Sequence, residues 1–176
     1  MMVSLENHWR KRTLILGDVN SGKTQMTLEL LDRVIHQKKD KVAVIDLAPE
    51  KTRGIGGKME VPSHPRISYR TTRIIPPRLT GKSVDEVEVY ALQNANAIEE
   101  LFSAYLKTPR KILVINDVSL YLQRGDLGRL LDVLRTSHTA IINGYYGKAL
   151  GDSAFSKREK RQMDRLAEAC DRVVRL

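Results

Sequence analysis

The chain has 176 residues, 41% hydrophobic and 29% charged, which suits one soluble globular domain with a core of its own. No apolar run reaches the length of a membrane span, and no signal-type apolar stretch follows the charged opening Glu6–Arg12, so a membrane partner is excluded and the cytoplasm is the expected compartment. A single cysteine, Cys170, excludes an internal disulfide and a cysteine-based zinc site, and His8, His36, His64 and His138 are too scattered to suggest a metal cluster. The 30 Lys and Arg against 21 Asp and Glu leave a net charge of +9, which suits a polyanionic partner and keeps nucleic acid open as one. At 5% aromatic, the composition offers no evident stacking platform for single strands.

In chain order, Thr13-Leu14-Ile15-Leu16 reads as a short buried strand. It runs into Gly17-Asp18-Val19-Asn20-Ser21-Gly22-Lys23-Thr24, which fits the Gly-x-x-x-x-Gly-Lys-Ser/Thr phosphate-binding pattern without a mismatch. Gln25 to Gln37 follows with Met26, Leu30, Leu31, Val34 and Ile35 on one helical face. Glycine at 17 permits a sharp turn, and glycine at 22 lets backbone N–H groups approach phosphate oxygens. Those groups and the positive end of the helix form an anion seat. Lys23 supplies a point charge for the terminal phosphates, and the Thr24 hydroxyl is placed to ligate Mg²⁺.

Further apolar β-type runs follow at Lys41–Asp46, Lys111–Asp117, Thr139–Asn143 and Arg172–Leu176, with a weaker edge candidate at Ile67–Arg70. Ser83 to Lys107 carries apolar residues at steps of three or four, with Ser83 and Glu86 as a capping box and Pro109 beyond its end. Leu127, Leu130, Leu131 and Leu134 mark another helix. The last contains Met163, Leu166, Ala167 and Cys170, opened by Ser156 and Glu159 in the same capping pattern. Alternating strands and helices predict an α/β fold in three layers, a mainly parallel sheet with helices on both faces. The whole chain, 1–176, is expected to be one nucleotide-binding domain with an irregular insertion at about 48–82. That stretch is rich in Gly, Pro and basic residues, including Lys51, Arg53, Lys58, Arg66, Arg70, Arg73 and Arg78, and an irregular segment of this length is usually functional or disordered.

Two acidic residues close apolar strands. Asp117 follows Ile112-Leu113-Val114-Ile115 in the form of a Walker B segment, although Asn116 departs from the apolar pattern and no Glu follows. Asp46 ends the strand after the phosphate-loop helix, at the edge of the sheet where ligands bind. There, resemblance to P-loop kinases implies a base for an acceptor hydroxyl, resemblance to deviant-loop ATPases implies a metal-linked carboxylate, and the alternative is turn chemistry before Pro49. Arg53, Lys58 and Lys148 lie in flexible loops from which they could meet a phosphoryl group, and Asn143 ends a strand at a position that, by resemblance to P-loop ATPases, implies a polar sensor. Gln37-Lys38-Lys39-Asp40 looks like a guanine-selective motif but lies at a helix end, so ATP is expected before GTP.

These residues resemble the P-loop NTPase superfamily, and Asp18-Val19-Asn20-Ser21 within the loop is similar to polynucleotide kinase loops over the eight residues Gly17–Thr24. The resemblance implies ATP, or GTP, bound with Mg²⁺ on a parallel sheet. Its expected nucleotide contacts are Gly17 to Gln25, its metal ligands Thr24 and Asp117, and its chemistry is carried by Lys23, Asp46 and Asp117. The activity is then that of an NTPase or phosphotransferase, or of a module that binds nucleotide and turns it over slowly. The missing Glu after Asp117 puts rapid hydrolysis in doubt.

Overall fold

A computed structural model describes residues 3–176; residues 1–2 of the expected domain lie outside it. Six strands form one all-parallel sheet: β1 Arg12–Gly17, β2 Val42–Asp46, β3 Ile67–Thr71, β4 Ile112–Asn116, β5 Thr139–Tyr145 and β6 Arg172–Arg175, in the order β3-β2-β4-β5-β1-β6. The helices are α1 Lys23–Gln37, α2 Pro77–Thr80, α3 Val84–Leu106, α4 Ser119–Leu122, α5 Leu127–Arg135 and α6 Ala154–Glu168.

The strand side chains alternate between two cores, as a pleated sheet requires. Ile15, Val42, Val44, Ile112, Val114 and Ile141 face Leu30, Leu31 and Val34 of α1. Leu14, Leu16, Ala43, Ile45, Leu113, Ile115, Ala140 and Ile142 face the opposite way, towards α3, α5 and α6. Near-continuous apolar strands and amphipathic helices thus close a three-layer α/β fold of the expected class.

Three local details differ from the sequence reading. The segment 48–82 contains, besides the edge strand expected at Ile67–Arg70, a helical turn, since Pro77, with its fixed φ, opens α2. The last helix begins earlier, because Ser153 accepts the Ser156 N–H at 3.2 Å and takes the capping role. Glu159 is left buried instead of capping. The third is β6, which is an outer strand with Val173 partly exposed, so its apolar run is covered on fewer sides than the central ones.

Arg66 closes α1 from a distance. Its guanidinium donates to the Lys38 carbonyl and, at 2.5 Å, to the Ile35 carbonyl, satisfying orphan groups at the helix end. Near the N-terminus, His8 is buried with Nδ1 3.1 Å from the Thr13 hydroxyl. Burial first, then the charges of Arg172 and Lys11, lower its pKa from 6.5 to about 4. A base held neutral in the fold contributes stability that is present above pH 6.5 and lost as pH falls towards 4. Urea midpoints should therefore drop through this window more steeply in the wild type than in His8→Gln. Parallel slopes in the two proteins would remove His8 as the cause.

Candidate functional site

The parallel strands all end at one edge, and β1, β4 and β5 bring their last residues together there. Gly22 precedes α1 with a φ of 94°, a left-handed conformation that glycine adopts without strain, and it sets the first N–H groups of the helix towards the cleft. Val19 to Gln25 line a cleft of about 740 Å³. Of the expected nucleotide contacts, Gly17 and Asp18 do not line it.

Asp18 instead braces the loop from behind. Its carboxylate accepts the N–H groups of Val19 (2.7 Å), Lys148 (3.0 Å) and Ala149 (3.3 Å), and the Lys148 bond leads in holding its pKa below the usual range. A β-carbon on Gly147 would lie 2.3 Å from Asp18 Cγ, so only glycine lets the 146–151 loop reach this brace. Lys148 therefore serves through its backbone, and its exposed side chain is not in the cleft.

Lys23 Nζ lies 2.5 Å from the Asp18 carbonyl and 3.5 Å from Ser21 Oγ, folded over its own loop. Burial pulls its pKa down, while Asp117 and Asp18 push it back up. Thr24 Oγ1 points at Asn116 Oδ1, 3.4 Å away. The side chain facing the Thr24 hydroxyl at the end of β4 is thus that of Asn116, one residue before the expected metal ligand Asp117.

Asp117 leaves the strand with a φ of 58°, uncommon for a residue with a β-carbon. Its N–H donates to Asn143 Oδ1 at 2.8 Å, and its carboxylate accepts the Ser119 hydroxyl at 2.6 Å. Burial pushes its pKa above the ordinary carboxylate range, against the Ser119 hydrogen bond and the Lys23 charge. Asn143 fastens the strand ends together: its amide donates to Asn116 Oδ1 (2.9 Å) and to Thr27 Oγ1 (2.8 Å), which bonds back to the Lys23 carbonyl.

Asp46 lies behind the site. It is fully buried, does not line the cleft, and accepts from the Ala48 and Met59 N–H groups, the Asn116 amide and the Tyr69 hydroxyl. With both oxygens engaged and no open face, it is not placed to take a proton from an acceptor. Lys58 lines the cleft, but its ammonium is taken up by the Ala48 carbonyl, Thr71 Oγ1 and the Thr72 carbonyl. Arg53 is exposed at the loop tip and does not line the cleft.

Sequence reasoning did not single out Gln123, and named Arg78 only as one basic residue among several. Both line the cleft beyond Asp117. Arg78 Nη2 binds both Glu159 oxygens at 2.9 and 3.0 Å, Nη1 binds Ser156 Oγ at 2.9 Å, and the guanidinium lies 5.3 Å from the Tyr145 and Phe155 ring centres. Gln123 donates to Glu159 at 2.6 Å. The pair joins α2 to α6 across 81 residues, a separation with no local signal in the sequence. Removing Arg78 leaves a charged carboxyl in a site where Glu159 is only 2% exposed, so Arg78→Ala should cost about 3–5 kcal/mol of unfolding free energy. Urea unfolding measures this directly, and an unchanged midpoint would contradict it.

Among the described residues, no three His, Cys, Asp or Glu side chains converge as in an all-protein metal cage. Thr24 Oγ1 and Asn116 Oδ1 form a sparse pair of hard oxygens at the cleft, which fits Mg²⁺ when phosphates supply further ligands. No helix among the described residues is long and apolar enough to cross a membrane. Comparison of the chain with known protein families and with curated proteins found no match.

Proposed function

We propose that the chain is an ATP-binding P-loop protein that hydrolyses the terminal phosphate bond with Mg²⁺, using Asp117 as the base. The observation that carries this reading is the arrangement of Lys23 and Thr24 at the start of α1, facing Asn116 and Asp117 across one cleft. Backbone N–H groups of the loop bind the phosphate chain, and Lys23 exchanges its bond to the Asp18 carbonyl for phosphate oxygens. Thr24 and Asn116 would hold Mg²⁺, which supplies charge neutralisation on the β- and γ-phosphates.

Asp117 takes the proton of the attacking water. The new bond forms between that oxygen and the γ-phosphorus while the bond to the β-bridging oxygen breaks, leaving ADP and phosphate. In register with Asn116 as the residue facing Thr24, Asp117 is the acidic residue one position further on. With no Glu after Asp117, Asp117 itself supplies the base in this reading. Its raised pKa makes it a better proton acceptor than an ordinary surface aspartate.

A second reading is phosphoryl transfer to an acceptor other than water. Pro77, Leu79, Leu120 and Leu150 extend the cleft beyond Asp117 with an apolar wall that could hold one. Exposed Lys51, at the cleft, and nearby Arg53 keep nucleic acid among the candidate acceptors. ATP ahead of GTP rests on the lack of a guanine-selective motif. Phosphate release from ATP and GTP, with and without Mg²⁺ and with RNA ends or nucleosides added, tests all of these. Release that needs Mg²⁺ but no acceptor supports the hydrolase, whereas release only with an acceptor transfers the assignment to a kinase.

A further inference from the structure

We propose that Asp46 is a positioning residue for the metal-facing end of β4: it holds the carboxylate charge of the site one strand away and passes its effect through the Asn116 amide. This rests on the nucleotide-site reading above. Asp46 and Asn116 are register partners on neighbouring strands β2 and β4. Asp46 Oδ1 accepts Asn116 Nδ2 at 2.9 Å and the Ala48 N–H at 3.1 Å, and Oδ2 accepts the Met59 N–H at 2.6 Å and the Tyr69 hydroxyl at 2.9 Å. No Lys, Arg or His side chain within the described residues forms a salt bridge with it.

The direction of the relay follows from donor and acceptor chemistry. A carboxylate accepts and cannot donate, so it draws the NH₂ of Asn116 towards itself. The other end of the amide must then present its oxygen to Thr24 Oγ1 and Asn143 Nδ2, and both contacts are present at 3.4 and 2.9 Å. The reverse orientation would set two donors, Asn116 and Asn143, against each other. Asp46 thereby keeps an oxygen facing the metal position, and polarisation along the hydrogen-bonded chain makes that oxygen a better acceptor. The arrangement also accounts for Asn rather than Asp at position 116, since a second carboxylate beside Asp46 would repel it.

The test is calorimetric titration of ATP into the full chain with and without Mg²⁺. Asp46→Asn frees the Asn116 amide to turn, so the gain in ATP affinity on adding Mg²⁺ should fall roughly 10–100-fold while metal-free ATP affinity holds. The double variant Asp46→Asn with Asn116→Asp moves the carboxylate to the metal-facing position, where it presents an oxygen without a relay, and should recover the Mg²⁺ effect that the single variant loses. Should Asp46→Asn not fold, Asp46→Ser carries the test, because the shorter side chain removes the carboxylate that holds the Asn116 amide while leaving Asn116 itself in place, and it should lose the same Mg²⁺ effect. An unchanged Mg²⁺ effect in Asp46→Asn or Asp46→Ser, or a double variant with no recovery, would overturn the proposal. Failure of the wild type to bind ATP with or without metal would instead overturn the nucleotide-site reading beneath it.

Discussion

Lys23→Ala should abolish most triphosphate binding while the protein stays folded. Among the described residues the ammonium bonds only to the Asp18 carbonyl and Ser21 Oγ, both within its own loop, and burial already disfavours its charge. The fold therefore has little to lose. A bound triphosphate has much to lose, because hydrogen bonds to charged groups contribute about 1.5–3 kcal/mol each, or roughly 10–100-fold in affinity for one. Thermal unfolding separates the two effects. The wild type should melt at a higher temperature with ATP and Mg²⁺ than without, whereas the variant should melt near the wild-type free value and gain much less from nucleotide. An equal nucleotide-induced shift in both proteins would end the phosphate-loop assignment.

Asp117→Asn should slow phosphate release by about 10²–10⁴ and leave ATP affinity nearly intact. The substitution keeps the size of the side chain but removes the proton acceptor. The pH profile adds an independent sign. A base must be deprotonated to act, and burial raises the pKa of Asp117, so activity should be lost as pH falls through a value above the ordinary carboxylate range. That acidic limb should vanish from the residual activity of the variant. If Asp117 were mainly a metal ligand, the same substitution would weaken ATP binding in Mg²⁺ and spare binding without it. Unchanged turnover would remove Asp117 from the chemistry altogether.

The phosphate loop could be read from the chain because its parts are contiguous: strand, glycine turn and helix follow one another within 26 residues from Arg12 to Gln37. The central strands were equally plain, since burial on both faces writes an unbroken apolar run. Long-range pairing is what the sequence conceals. Asp46 looks like a strand-end carboxylate available for chemistry, and only Met59, Tyr69 and Asn116 folding around it show that it is enclosed. Asn116 and Asp117 differ by one position, and only the folded chain shows that Asn116 is the one facing Thr24. Glu159 fits a capping pattern three residues after Ser156, yet Ser153 caps the helix and Arg78 draws Glu159 into a buried ion pair. Short helices such as α4, four residues long, have too few turns to display a period.

Calorimetric titration of ATP into the wild-type protein in the presence of Mg²⁺ bears most directly on the site formed by Gly22, Lys23, Thr24, Asn116 and Asp117. One ATP should bind per chain, more weakly once Mg²⁺ is chelated, and inorganic triphosphate should compete because the loop grips the phosphates. Absence of any binding heat or competition at millimolar ATP, with the protein folded, would contradict a nucleotide site in this cleft.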